Sequence, residues 1–466
     1  MATTLPPAYA GSPLLGVLPA MRRDTLATLV RARRERGDVV RLLAGPPGMR
    51  ITTYAFFHPD GVRHAMATEA DRYRKDSRFY NEVRWALGDG LLNSQDERWV
   101  RQRRFVQPLF TRKRIAGYAG EMGDEAERLS ARWRGAEDPI DLHAEMSRVT
   151  LRIVSRLLFG TDVERAIPVV ARVFPVLGEY VRLRAYSMVR LPRGWPTAAN
   201  RRASGAREDL RRVCGELIAA RRADGAGGDD LISLLIAARD GAERLDDGEI
   251  RDQVLIFLLA GHDTTAIALT FALHLLGHHP DAQDRVRAEV AALGHSTPGA
   301  ADLDGLAYTT MVLKEAMRLY PPAWGFGRKC VADDEVGGHR VPAGADIIVS
   351  PWVTHRHPRF WNEPERFDPE RFAPEREANR HRHAYLPFGA GPRACIGQYF
   401  SMLEAAILLA VIVRDHQLTS LTEHVPLAPR ITLHPAAPVP SRLRPARASA
   451  RRAAPLSGPG RVPRRG

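Results

Sequence analysis

Three short stretches hold residue types and spacings that can do chemistry. Residues 388–397, FGAGPRACIG, place Cys395 among three glycines and two positions after Arg393. A thiolate is a soft ligand suited to iron. A glycine-rich backbone lets amide N–H groups approach the sulfur, which tunes a metal from outside its ligand shell. Arg393 could neutralise an anionic group on the same cofactor. The plain alternative is an inert cysteine beside a turn. Residues 258–269, LLAGHDTTAIAL, set Gly261, His262, Asp263, Thr264 and Thr265 in an otherwise apolar run. Glycine costs about 1 kcal/mol there relative to alanine. A Thr hydroxyl can take a helix carbonyl and open the turn, leaving a gap for water or a small ligand. The plain alternative is a polar helix face, and His262 alone adds little. Glu315 and Arg318, in KEAMR, share a helix face at i and i+3. By default such a pair is a surface bridge worth about 0.3–0.5 kcal/mol. Arg366 and Arg371, from PERFDPERF, offer it an arginine fork from a loop.

The elements that must position these residues are mostly helices. The pattern predicts a helix near residues 24–36, strands at GDVVRLL and MRITTYA, and mostly helix from Trp99 to about Asp240, interrupted at residues 192–196 and at ADGAGGDD. Residues 246–276 read as one long helix, apolar through its middle. Pro280 starts the next helix, and Pro321-Pro322 stops the one carrying KEAMR. Residues 329–350 read as strands turned at Gly337-Gly338 and Gly344, and residues 397–413 as a last helix. The fold class expected is mainly α with small β-sheets, over residues 1–436. Residues 437–466, rich in Arg, Pro and Ala, are expected to be a disordered tail.

At 466 residues with 44% hydrophobic content the chain can bury a sizeable core. Its uncharged apolar runs, residues 264–277 and 405–413, are shorter than the roughly 18–20 residues of a membrane span. The first charge is Arg22, so the start does not read as a signal peptide. Three cysteines without CxxC spacing argue against disulfides and structural zinc, and for a reducing compartment, the cytoplasm. The net charge of +14 suggests nucleic acid or an anionic surface. Yet only four of the 68 Lys and Arg residues are lysines, and eight arginines fall in residues 441–466. That skew points to codon bias, and no nucleic-acid partner is expected.

Taken together, these stretches resemble the cytochrome P450 superfamily. Phe388-x-x-Gly391-x-Arg393-x-Cys395-x-Gly397 matches its haem-binding signature at every defined position. AGHDTT resembles its oxygen-activating helix, Glu315-x-x-Arg318 with Pro369-Glu-Arg-Phe372 its structural triad, and Trp99-x-x-x-Arg103 its propionate-binding helix. The resemblance covers roughly residues 6–435; the arginine-rich tail departs from it. It implies a triangular helical domain holding haem b (iron protoporphyrin IX) between the long central helix and the helix after the cysteine. Cys395 is then the axial iron ligand. Arg393, Trp99, Arg103, Arg328, Phe388 and Gly397 hold the cofactor. Glu315, Arg318 and Arg371 form the triad. Thr264 holds dioxygen and a water, Asp263 relays protons, and Gly261 and Ala260 leave room above the iron.

The function implied is insertion of one atom of dioxygen into a C–H bond, or epoxidation, using two electrons from a separate ferredoxin, flavodoxin or reductase. Leu92, Ala260, Ala323 and Trp324 are expected to line the substrate pocket. All are apolar, so an apolar small molecule is expected, a terpenoid first and a fatty acid second. Two other classes remain. A haem sensor or storage protein would keep Cys395 without needing an acid–Thr pair, which argues against it here. A nucleic-acid binder would depend on the tail and on salt.

Overall fold

The computed structural model describes residues 4–446 other than 160–165, 188–189, 224–227, 229, 242 and 295–296. Its axis is a helix spanning Asp247–His278. Asp246 starts it with a capping box, accepting from the Glu249 amide while the Glu249 side chain accepts from the Asp246 amide. From Thr265 to Gly277 every residue is buried. A helix apolar on all sides must be surrounded. This one packs against Leu142–Phe159, Ala307–Leu319, Gln398–Asp415 and the strand His416–Ser420. Length and composition alone would let it cross a membrane, but 78% of its apolar window is covered by protein. Gln398–Asp415 is the second such helix, buried continuously over residues 403–413.

A six-stranded mixed sheet lies beside these helices, in the order Ala8–Tyr9, Val39–Ala44, Ile51–Phe56, Asp346–Val349, Phe326–Cys330, Tyr73–Arg74. Val39 pairs with Phe56 and Ala44 with Ile51, the antiparallel hairpin expected from the two alternating runs. The helix predicted near residues 24–36 is Thr25–Arg36, capped by Asp24, which accepts from the Ala27 amide at 2.9 Å. Gly337 and Gly338 both take positive φ, turning Asp334–Val336 into His339–Val341.

The end of the chain departs from the sequence reading. The expected boundary at residue 436 is too early, because Pro440–Pro445 is a strand paired antiparallel with His416–Ser420 and with Ile140–Asp141. Ser441 and Leu443 are buried while Arg442 and Arg444 point outward. Residues 447–466 lie outside the described part. Removing the chain from Ser441 onward takes out the central strand of this three-stranded sheet and deletes a buried leucine. It is expected to destabilise the domain by about 2–5 kcal/mol, read as a lower denaturant midpoint. An unchanged midpoint would show that the strand adds nothing.

Candidate active site

The long helix is not regular where its polar residues fall. Leu259–Asp263 form a widened, π-helical turn before the α-helix resumes at Thr264. The Thr264 hydroxyl donates to the Ala260 carbonyl at 2.7 Å, and Thr265 to Gly261 at 3.1 Å. The turn also leaves a carbonyl for an outside donor: Thr150, on the neighbouring helix, donates to His262 O at 3.0 Å. Gly261 is needed for contact as well as for opening, since a Cβ there would lie 3.0 Å from Val154 Cγ2. His262 takes the plain reading. It is buried against Leu258 and Phe174, and burial lowers its pKa.

Beneath this turn lies a cavity of about 300 Å³, with Ala260, Gly261 and Thr264 on one wall and residues 387–397 on the other. The cysteine loop closes on itself, the Cys395 amide donating to Phe388 O at 2.9 Å. Gly391, at φ +65°, crosses the chain at Met66 so closely that a Cβ would sit 2.0 Å from Met66 O. Only glycine permits that crossing. Cys395 is enclosed by the fold yet exposed to the cavity. Burial pushes its thiol pKa up, while the Gly397 amide and Lys75 favour the thiolate.

The other predicted cofactor residues converge here. Trp99, Arg103, Arg328, Phe388, Arg393 and Gly397 all line the cavity. Arg393 stacks on Trp99, 4.0 Å from the ring centroid, and donates to Ser94 O at 2.8 Å and to Gln95 Oε1 at 3.0 Å. Arg103 reaches the Pro392 carbonyl and covers Trp99 at 5.3 Å. Arg328, 3% exposed, donates to its neighbour's carbonyl, Gly327 O, and among the described residues to no other group. One cation was missed from sequence: Lys75, 6% exposed, donates to Leu92 O at 3.0 Å. None of these four cations forms an ion pair with a carboxylate among the described residues. Burial and mutual repulsion hold Arg393 down to about 10, and push Lys75 well below its usual value. Unpaired buried cations are costly. A ring carrying two carboxylates and a thiolate-seeking metal answers both the cations and Cys395, so the residues present fit haem.

The triad is a buried network and not a surface bridge. Arg318 donates to both Glu315 oxygens, at 2.6 and 2.8 Å, with both side chains fully buried. Arg371 joins at 3.3 Å from Glu315 Oε1. Arg366 contributes only its carbonyl, which accepts from Arg318, while its side chain bridges the exposed Glu363.

Two predicted residues lie elsewhere. Leu92, Ala260 and Ala323 line the cavity, as does Phe326, but Trp324 does not. Its indole donates to Arg430 O at 3.0 Å, in the core under the six-stranded sheet. Asp263 also faces away from the cavity. Thr432 donates to its Oδ2, and His434 Nε2 stands 3.3 Å away. Burial works against the charged form, yet His434 and Thr432 hold its pKa far below the usual carboxylate range. Below the cavity, Ser401 pairs with Thr265 at 3.0 Å beside Glu404, whose pKa burial pushes well above the usual carboxylate range. A larger, more open cleft of about 740 Å³, rich in arginine, lies between Thr25–Arg36, Ala166–Tyr186 and the hairpin near Arg430; it contains none of the predicted site residues.

A cavity walled by an opened helix, a lone thiol and unpaired cations defines a haem-thiolate monooxygenase. The comparisons agree: the family model for cytochrome P450 matches residues 6–437, and the chain belongs to that family. It is 40% identical to cyclooctatin synthase of Streptomyces melanosporofaciens over 87% of this chain and 88% of that one. It is 35% identical to pentalenene oxygenase of Streptomyces avermitilis, over 82% and 84%. The solved heme domain of cytochrome P450DA superposes with a TM-score of 0.84 at 27% identity, covering 96% of this chain and 99% of that one. As in the family, the cofactor is haem, and the enzyme requires dioxygen, an electron donor and a small-molecule substrate.

Proposed function

We propose that this enzyme hydroxylates or epoxidises a terpenoid, with electrons from a separate ferredoxin, flavodoxin or reductase. The observation that carries the substrate class is the lining opposite Cys395. Leu91, Leu92, Val154, Ile256, Phe257 and Ala260 offer an apolar surface, and among the described residues the charged groups in the lining are the cofactor's cations. The relatives named for pentalenene and for cyclooctat-9-en-7-ol support it. A fatty acid would want a cation for its carboxylate on the substrate side, and the cavity's cations are those assigned to the cofactor. Three free cysteines suit the reducing cytoplasm.

In this reading Cys395 would hold the iron through its sulfur, and Trp99, Arg103, Arg328 and Arg393, with Lys75, would hold the two carboxylates of the ring. The bound haem supplies dioxygen activation, and its thiolate favours O–O cleavage. The chain supplies position and protons. Thr264 gives its own proton to Ala260 O, so the lone pairs of Oγ1 face the cavity and accept from a water. That hydroxyl holds the water where protons are needed. The widened turn gives the water room, and Asp263 feeds the turn from the far side.

Thr264→Ala tests this directly. The variant is expected to bind substrate, shown by an unchanged shift of the ferric Soret band, and to consume reduced nicotinamide. Product per nicotinamide is expected to fall about tenfold or more, with hydrogen peroxide making up the balance. Unchanged coupling would remove Thr264 from proton delivery. The same Soret assay, run with polycyclic hydrocarbons against long-chain acids, separates the two substrate classes.

A further inference from the structure

The arginine-rich cleft shares no lining residue with the haem cavity, so both can be filled at once. Among the described residues, seven arginines and three carboxylates line it. The carboxylates are already engaged. Glu179 accepts from Arg182 with both oxygens, at 2.6 and 2.9 Å. Glu365 accepts from Arg356 at 3.1 Å, and Arg356 covers Trp352, 3.6 Å from the ring centroid. Asp24 is spent on the Ala27 amide as the cap of Thr25–Arg36. Five arginines remain. Arg22 and Arg23 lie on Leu18–Arg23, Arg31 and Arg34 on Thr25–Arg36, and Arg430 in the turn between Leu427–Pro429 and Leu433–Pro435. Among the described residues their side chains make no hydrogen bond and no ion pair.

Arginine is abundant in this chain, and a single arginine on an exposed helix face is simply solvated. Here cations from three elements converge on one concavity, and Arg31 and Arg34 repel each other across one turn. A guanidinium keeps its charge at any physiological pH, so the field in the cleft is positive and uncompensated. The wall between the cations is apolar, made by Met21, Leu26, Val30, Trp352 and Leu427. This combination suits a ligand with an anionic head and a hydrocarbon body. A phosphate monoester carries about −1.5 to −2 charge at pH 7 and three acceptor oxygens, which match the N–H forks of arginine. A carboxylate would bring a single charge. The volume of about 740 Å³ is that of a small-molecule site.

We propose that this cleft binds a phosphorylated small molecule with an apolar body, as a second ligand and not as the compound oxidised. The unpaired arginines take the phosphate, and the apolar wall takes the hydrocarbon. A lipid headgroup offers the same phosphate chemistry from a different source; the concave shape fits the free molecule.

The test is equilibrium dialysis of the holoenzyme against decyl phosphate, below its aggregation concentration and at fixed ionic strength. Saturable binding is expected, with no change in the Soret band. The double variant Arg31→Gln/Arg34→Gln and the single variant Arg430→Gln are each expected to weaken it about tenfold or more. Their haem content and reduced carbon-monoxide spectrum should stay as in the native protein. Arg36→Gln removes a charge from the same helix outside the cleft, and should leave binding alone. An equal loss in Arg36→Gln, or binding that never saturates, would reduce the effect to general surface charge and overturn the site. Decanol bound as tightly as decyl phosphate would strike out the phosphate. Vesicles of phosphatidylglycerol bound by a protein that ignores monomeric decyl phosphate would make this face a membrane patch, and the proposal would fail. It would fail equally if decyl phosphate shifted the Soret band and the arginine variants made no difference, since the compound would then occupy the haem cavity.

Discussion

Glu315→Ala is expected to yield almost no soluble, haem-loaded protein. In the native chain one buried carboxylate answers two guanidinium groups, Arg318 with 0% and Arg371 with 9% side-chain exposure. It also accepts from the Asp368 amide at 3.0 Å. Arg318 spends its remaining donors on His355 O, Pro364 O and Arg366 O, so the network ties Ala307–Leu319 to residues 364–372. Removing the carboxylate leaves two buried cations without an anion. Breaking a buried pair from one side costs about 3–5 kcal/mol, a large share of a total margin of roughly 5–15 kcal/mol. The measurement is haem per mole of protein in the soluble fraction, with the urea midpoint where protein is recovered. Glu315→Gln keeps the amide contact without the charge and should fall between. A haem-replete, normally stable Glu315→Ala would mean that hydrogen bonds from the loop carbonyls hold Arg318 by themselves.

What the sequence disclosed follows from whether a residue's role is fixed by its neighbours along the chain. The cysteine loop was legible because its work is local: positive φ at Gly389 and Gly391, and a closing bond from Cys395 to Phe388, all lie within eight residues. The opened turn was legible too, since Thr264 and Thr265 take carbonyls four residues back. Roles set by distant packing were not. Asp263 and Thr264 are adjacent, so they point about 100° apart on a helix; which one met the cavity depended on where the hairpin at Thr432 and His434 docked. Trp324 was expected at the pocket from the family resemblance, but its indole found the Arg430 carbonyl instead. Lys75 has no local pattern at all and gained its place through the fold. Pro440–Pro445 carried a signal that arginine obscured: Ser441 and Leu443 alternate with Arg442 and Arg444, inside and out, at the period of a strand.

Cys395→Ser is expected to abolish the long-wavelength Soret band that a thiolate ligand gives to reduced, carbon-monoxide-bound protein, and with it the coupled oxidation. Serine matches the thiol in shape, and the loop's closing bond uses the backbone amide, so the cavity and its cations should survive. Haem held by the cations alone would carry an oxygen ligand or none, and it would lack the electron donation that favours O–O cleavage. Neither remaining cysteine can stand in. Cys214 is buried in Ala198–Ala223, its pKa pushed to about 12 by burial. Cys330 donates to Ala332 O at 3.0 Å within the sheet, and burial raises its pKa as well. Neither lines the cavity. The measurement is the reduced carbon-monoxide difference spectrum, with haem content taken on the same sample. A thiolate band persisting in haem-loaded Cys395→Ser would overturn the assignment. Loss of haem together with a normal unfolding midpoint would instead show that the sulfur, more than the ring of arginines, retains the cofactor.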